Sequence, residues 1–244
     1  MATVKQGGKI NSVGGFLSRL HDTSTDTRRV FRGQKTDKCL LPRIMRLAKE
    51  KGIAPADTVD LEKRMLARFR RESAPMRREL PELEDWELLS LAQHCGMPTR
   101  LLDWTANPLA GLWFAVSADP PNDEKYGVVW ALEDPNEQTP KSDEDVFDLP
   151  DTRFIQPPSL DRRIIAQSGW FSVYRHNRKD FLPLDEQDKF CGKLTKFLVP
   201  CTSFHSLRQK LRLCGINHAS MFPDLSGLGA DIQAEIIDSL PSKC

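Results

Sequence analysis

The sequence predicts an α+β fold: one domain in which a helical N-terminal half packs on a mixed or antiparallel sheet. Three observations carry that prediction. Helix-period stretches cluster early in the chain, strand-like stretches recur later, and neither a regular strand–helix–strand alternation nor an internal repeat runs through it. The chain has 244 residues, of which 39% are apolar, enough for one sizeable core. Its 35 Lys+Arg against 34 Asp+Glu leave a net charge of +1. That balance excludes a global positive field that would collect phosphates, while a local basic patch stays open. No run approaches the roughly 18 apolar residues of a spanning helix. Met1 to Gln6 has no apolar run behind it, so the expectation is a cytoplasmic protein without a membrane partner. Cys39, Cys95, Cys191, Cys201, Cys214 and Cys244 show no C-x-x-C pair and no zinc-type spacing, which favours reduced thiols over disulfides or a metal site.

In chain order, residues 1–11 read as a flexible, polar tail and residues 12–240 as the domain. Ser12 to Leu20 suits a short helix with Ser12 as N-cap and Phe16, Leu17 and Leu20 on its apolar side. A polar turn over 22–27 leads into a strand from Arg29 to Gly33. Leu41 to Leu47 suits a helix with Pro42 in its first turn. Residues 57–79 carry the strongest helical period, through Leu61, Met65 and Phe69, and Pro81 ends it. The Arg64, Arg68, Arg70, Arg71, Arg77 and Arg78 series among Glu62, Glu72 and Glu79 reads as a solvated, ion-paired face, with phosphate binding as the alternative. Asp85 to Cys95 is a further helix, Asn107 to Ser117 a buried one, and Tyr126 to Leu132 a core strand. The Pro-rich stretch near 133–160 reads as a flexible loop insertion. Ile164-Ile165 and Gly169 to Tyr174 suggest paired extended segments. Lys193 to Pro200 is a strand, Ser203 to Cys214 a helix and Leu225 to Leu240 a closing helix.

Three stretches place charged groups in apolar or glycine surroundings, where each costs stability unless it is paired or used. In Phe31-Arg32-Gly33-Gln34, an Arg at a strand end precedes a glycine that admits a second backbone or a ligand. Its guanidinium either grips a phosphate or carboxylate or pairs with a structural Asp. From Ala92 to Leu109, Gly96 is placed to cap one helix and Pro98 prevents its continuation. Beyond them, either Asp103 joins the cap of the next helix and pairs with Arg100, or His94, Thr99, Arg100 and Asp103 line a pocket floored by that helix. Cys95 beside His94 is weak evidence for a nucleophile, because adjacent helical residues point apart. Third, Arg162 to Phe171 sets Gln167 and Ser168 before Gly169, with aromatics behind them.

Taken together, these stretches resemble the FRG domain family. The resemblance rests on Val30-Phe31-Arg32-Gly33-Gln34, Leu41-Pro42-Arg43, the block from Gln93 to Thr105 with Asn107-Pro108-Leu109, Arg163-Ile164 with Gln167 to Phe171, and Met221 to Leu225 with Gly227-Leu228. It runs from about residue 12 to 230, and Ser226 stands where an acid is expected. The motif order is also similar to that of Arg-Ser-Glu type ADP-ribosyltransferases, with Trp113-Phe114-Ala115 ending the apolar helix. The resemblance implies an ADP-ribosyltransferase-like fold and an NAD-consuming enzyme, a toxin or phage-defence effector modifying nucleic acid or protein. Arg32, Asp103 and Gln167 would be catalytic. Arg32, Gly33, Gln34, His94, Thr99, Arg100, Trp104, Thr105 and Arg163 would bind NAD, with no metal. This chain departs from the pattern by offering Gln167 where a late Glu is expected, so Asp103 would supply the carboxylate or Gln167 would orient a ribose hydroxyl. The alternatives are a non-catalytic module binding a nucleotide, nucleic acid or protein, and a structural ion network of Arg32, Arg100 and Asp103.

Overall fold

The computed structural model describes residues 3–22, 28–77, 82–119, 123–135, 144–157 and 162–237. It is α+β, with one seven-stranded sheet. The strands are β1 (Lys5–Lys9), β2 (Arg29–Gln34), β3 (Leu101–Thr105), β4 (Tyr126–Glu133), β5 (Arg153–Ile155), β6 (Gly169–Val173) and β7 (Leu194–Pro200). The helices are α1 (Val13–Asp22), α2 (Arg43–Glu50), α3 (Pro55–Ser73), α4 (Asp85–His94), α5 (Pro108–Val116), α6 (Arg162–Ala166), α7 (Asp188–Cys191), α8 (Phe204–Leu213), α9 (His218–Met221) and α10 (Leu225–Ile236).

Strand order is β1-β7-β4-β2-β3-β6-β5. β1 runs parallel to β7, and the other neighbours are antiparallel. Two stretches of this sheet are fully laddered. β2 pairs with β4 from Arg29↔Glu133 to Gln34↔Val128, and β3 pairs with β6 from Leu101↔Val173 to Thr105↔Gly169. Between them, β2 and β3 share only Phe31↔Thr105. The sheet is therefore two ladders joined at one residue pair at the end of β3, from which β2 and β3 part toward Arg32 and Asp103.

Alternation of side chains across the strands builds a core on each face. Phe31, Val129 and Phe197 pack with Phe16, Trp113 and Phe204 under α1, α5 and α8. Val30, Trp130, Leu102 and Trp104 pack with Leu40, Ile44 and Phe190 on the other face. A third cluster joins Leu66, Trp86 and Leu89 to Leu101, Phe171 and Val173. Because β4 is covered on both faces, Gly127 to Leu132 is buried throughout, which explains its unbroken apolar run.

The structure corrects four expectations. The polar tail supplies the edge strand β1, whose residues add backbone pairing rather than side-chain burial. Ile164-Ile165 lies in α6 and is not extended. The stretch read as a loop insertion contributes β5 and buries Val146 and Leu149 in the third cluster. Glu62 is fully buried instead of lying on the solvated face of α3. Most of the polar turn expected over 22–27, Pro81 with Arg78 and Glu79, part of the Pro-rich stretch and the end of the closing helix at Leu240 lie outside the described residues, as does Cys244.

Candidate functional site

The site forms where β2 and β3 part. The glycine after Arg32 makes that geometry possible. A Cβ on Gly33 would collide with the Gly111 carbonyl oxygen and come within 2.5 Å of the Ala115 nitrogen, while a Cβ on Gly111 would come within 2.7 Å of the Phe31 Cβ. The two glycines let α5 lie backbone-to-backbone on β2. The close partner of the glycine is thus the protein's own helix.

The start of α5 is fixed by its cap. The Asn107 side chain accepts from the Leu109 and Ala110 N–H groups at 2.9 and 3.4 Å, so Asn107, not Asp103, fills the capping role. The Thr105 hydroxyl donates to the Gln167 carbonyl at 2.5 Å and accepts from the Asn107 N–H at 3.0 Å. The Ala106 N–H donates to the Ser168 carbonyl at 2.9 Å. These bonds tie the β3–α5 turn to the α6–β6 turn, where Ser168 holds a φ of 46°. The Gln167 amide then donates to the Met221 carbonyl at 2.9 Å, which brings α9 against the same turn.

These elements enclose a cavity of about 360 Å³, within the usual range for small-ligand sites. Arg32, Gly33, His94, Asp103, Trp104, Thr105, Arg163 and Gln167 all line it. Gln34, Thr99 and Arg100 do not. Gln34 is committed across the sheet, accepting from the Trp130 indole N–H at 2.6 Å. Thr99 is buried and acts one step back: its hydroxyl donates to the Gln93 side-chain oxygen, and the Gln93 amide donates to Asp103 Oδ1 at 2.8 Å. Arg100 does not pair with Asp103. It is fully buried, its Nε 3.3 Å from Glu62 Oε2, with the Glu62 carboxylate also accepting from the Arg100 N–H at 2.8 Å and contacting His176 Nε2 at 2.9 Å. Burial pulls the Arg100 guanidinium below the ordinary arginine range, and Glu62 opposes that shift.

Arg32 fills the gap between the parting strands. Its Nη1 donates to the Asp103 carbonyl at 2.6 Å and lies 3.7 Å from Asp103 Oδ2. Its Nε is buried without a partner, and desolvation lowers its pKa below the ordinary arginine value despite Asp103. Asp103 leaves its carboxylate 64% exposed, open to a ligand. On the opposite wall, Arg163 is tied to Asp224 by two hydrogen bonds and stacks over the Phe222 ring at 5.2 Å. Asp224 also caps α10 through the Gly227 N–H at 2.9 Å. Bonds from Ser226, the Gly227 N–H and Arg163 hold the Asp224 carboxyl far below the usual range. Ser226, standing where an acid was expected, serves this cap.

Several lining residues were absent from the predicted site. Gln93 precedes His94 on α4, Trp170 and Phe171 follow Gln167, and Phe114 and Phe222 close the apolar side. All five sit inside or next to the motif stretches, yet their aromatic or amide character alone did not distinguish site from core. The cavity thus combines two guanidinium groups, one exposed carboxylate and a set of aromatic rings. That composition accepts a compact ligand with both an anionic and a flat aromatic part. Among the described residues, no group of His, Cys, Asp or Glu could hold a metal ion, and no helix is long and apolar enough to cross a membrane.

Comparison with known proteins agrees with one part of this picture. Residues 27–124 match the model of the FRG domain family, a span that holds β2, β3 and α5 and, from the cavity, Arg32, Gln93, His94, Asp103 and Phe114. No curated protein and no solved structure matches the chain.

Proposed function

We propose an ADP-ribosyltransferase-like enzyme that consumes NAD, on the strength of this cleft and of the match of residues 27–124 to the FRG domain family. The observation that carries this reading is the Arg32–Asp103 pair, set 3.7 Å apart where β2 and β3 diverge, inside an aromatic-walled cavity. Arg32 is suited to the pyrophosphate or the adjoining ribose, because its guanidinium is partly desolvated and short of hydrogen-bond partners. Trp104, Trp170, Phe114 and Phe222 supply apolar walls for a flat ring.

In the reaction, the bond from C1′ of the ribose to the nicotinamide nitrogen breaks. Its electron pair leaves on nicotinamide, and positive charge develops on the ribose. The exposed Asp103 carboxylate stabilises that charge, and its acceptance from Gln93, itself held by Thr99, fixes its orientation. A nucleophile on a nucleic-acid or protein acceptor, or water, then bonds to C1′ and gives up its proton to Asp103 or to solvent. A toxin or phage-defence role would follow from the choice of acceptor. Gln167 donates to the Met221 carbonyl, so its work is to hold the α9 wall in place.

Incubation with NAD is expected to release nicotinamide, measured by chromatography. Asp103→Asn should lower kcat roughly 100-fold or more while leaving NAD binding intact. Arg32→Ala should weaken binding as well. The second reading is a non-catalytic nucleotide-binding module, favoured by Gln167 standing where the resemblance calls for Glu. NAD bound saturably but recovered unchanged would establish it over the enzyme.

A further inference from the structure

We infer that the turn after β6 is a separate binding site for the phosphodiester backbone of a nucleic-acid strand. A second cavity, of about 550 Å³, lies beside α3, and its lining includes Lys63, Asp145, Asp148, Arg175, Arg178 and Lys179. It is distinct from the cleft. The cleft uses the Gly169 to Phe171 end of β6, whereas this turn follows the other end, about 16 Å along a five-residue strand. The inference does not depend on turnover of NAD.

The cations of this turn are exposed, and they outnumber the acids of the lining. Arg175, Arg178 and Lys179 have no side-chain partner among the described residues. Three neighbouring acids are paired with other cations: Glu62 with Arg100 and His176, Glu144 with Arg153 at 2.6 Å, and Asp151 with Lys189 at 2.7 Å; Asp180, at the end of the turn, accepts from the neutral Asn177 amide. Asp145, which accepts the Phe147 N–H at 2.7 Å, and Asp148 are the two exposed acids of the lining, against Lys63, Arg175, Arg178 and Lys179. In a chain with a net charge of +1, a lining of four cations against two acids is a local positive excess.

The turn is also held in place. The Tyr174 N–H donates to the Arg100 carbonyl at 3.3 Å, the Arg175 N–H to the Thr152 hydroxyl at 3.2 Å, and the Lys179 N–H to the Asn177 side chain at 3.0 Å. His176 is anchored on the fully buried Glu62. Cations on a fixed backbone give up less conformational freedom on binding than those on a loose segment. Of the two aromatic rings in the lining, His176 is held on Glu62, and Phe147 is already covered by Lys63 and Arg100, with cation-to-ring distances of 5.3 and 5.1 Å. No free ring remains to stack a base, so recognition is of phosphates and not of sequence.

The test is fluorescence anisotropy of a labelled short oligothymidylate against the full chain. Three phosphate contacts give a log–log salt slope of about −2, equal to a roughly 20-fold loss of affinity between about 50 and 200 mM salt. Replacing Arg175, Arg178 and Lys179 by Ala should weaken binding about tenfold or more at low salt and flatten the slope, with melting temperature and NAD binding unchanged. Asp148→Lys should tighten binding, a gain that a damaged fold does not produce. Oligonucleotide binding unaffected by either change, absent at low salt, or matched by a polyglutamate peptide would overturn the inference.

Discussion

Removing Glu62 tests how far the buried ion cluster behind β3 supports the fold. The exposed ion pairs of α3, such as Arg68–Glu72, belong to a class that contributes little to stability. Glu62 is different, because it lies wholly buried with Arg100, contacts His176 and accepts the Arg100 N–H. Glu62→Ala strands a buried guanidinium and two further donors. Breaking a buried pair from one side costs roughly 3–5 kcal/mol. For a domain of this size, at about 2–4 °C per kcal/mol, the melting temperature should fall by roughly 6–20 °C. Differential scanning fluorimetry with urea denaturation as a check gives the number. Glu72→Ala should leave the melting temperature essentially unchanged. The double variant Glu62→Leu/Arg100→Met should recover much of the loss, since a packed apolar pair often replaces a buried ion pair at no cost. A Glu62→Ala shift within about 2 °C of wild type would show that Glu62 is not the counter-charge of a buried Arg100, whose loss is costly.

Further outcomes follow from the same geometry. Gly33→Ala should destabilise by about 3 kcal/mol, because the new methyl group meets the Gly111 and Ala115 backbone and not a movable side chain; equilibrium denaturation measures it. Asp224 is held ionised in the fold, so its contribution is fully present above about pH 4 and is lost as pH falls towards its depressed folded value. Melting profiles should therefore drop less steeply on the acid side for Asp224→Asn than for wild type. Thr99→Val should leave NAD affinity nearly unchanged while lowering turnover, because Thr99 touches Asp103 only through Gln93; steady-state kinetics separates KM from kcat.

Much of this architecture is legible in the sequence because its signals are local. The Asn107-Pro108 start of α5, the Gly96 C-cap at φ 88° and the apolar β4 each follow from a few neighbouring residues. What stayed hidden depends on distant partners or on backbone alone. The period of Leu61, Met65 and Phe69 locates α3 but not its buried line through Thr58, Glu62 and Leu66, whose polar member is explained by Arg100, 38 residues away. β1 is polar because it pairs at an edge, and the pattern carries no trace of that. One error was avoidable. Arg100 and Asp103 lie three positions apart at and just before β3, where strand alternation puts such side chains on opposite faces. The same parity argument separates buried Arg100 from the cleft and leaves Asp103 within it.

In the function proposed, Arg32 and Asp103, at the parting of β2 and β3, form the working end of an NAD site. Titration calorimetry of NAD into wild type and Arg32→Ala tests it most directly. Saturable, one-to-one binding to wild type that weakens at least about tenfold in a folded Arg32→Ala variant, a loss of about 1.4 kcal/mol, is the predicted result. No binding to wild type, or equal binding to both, would contradict it.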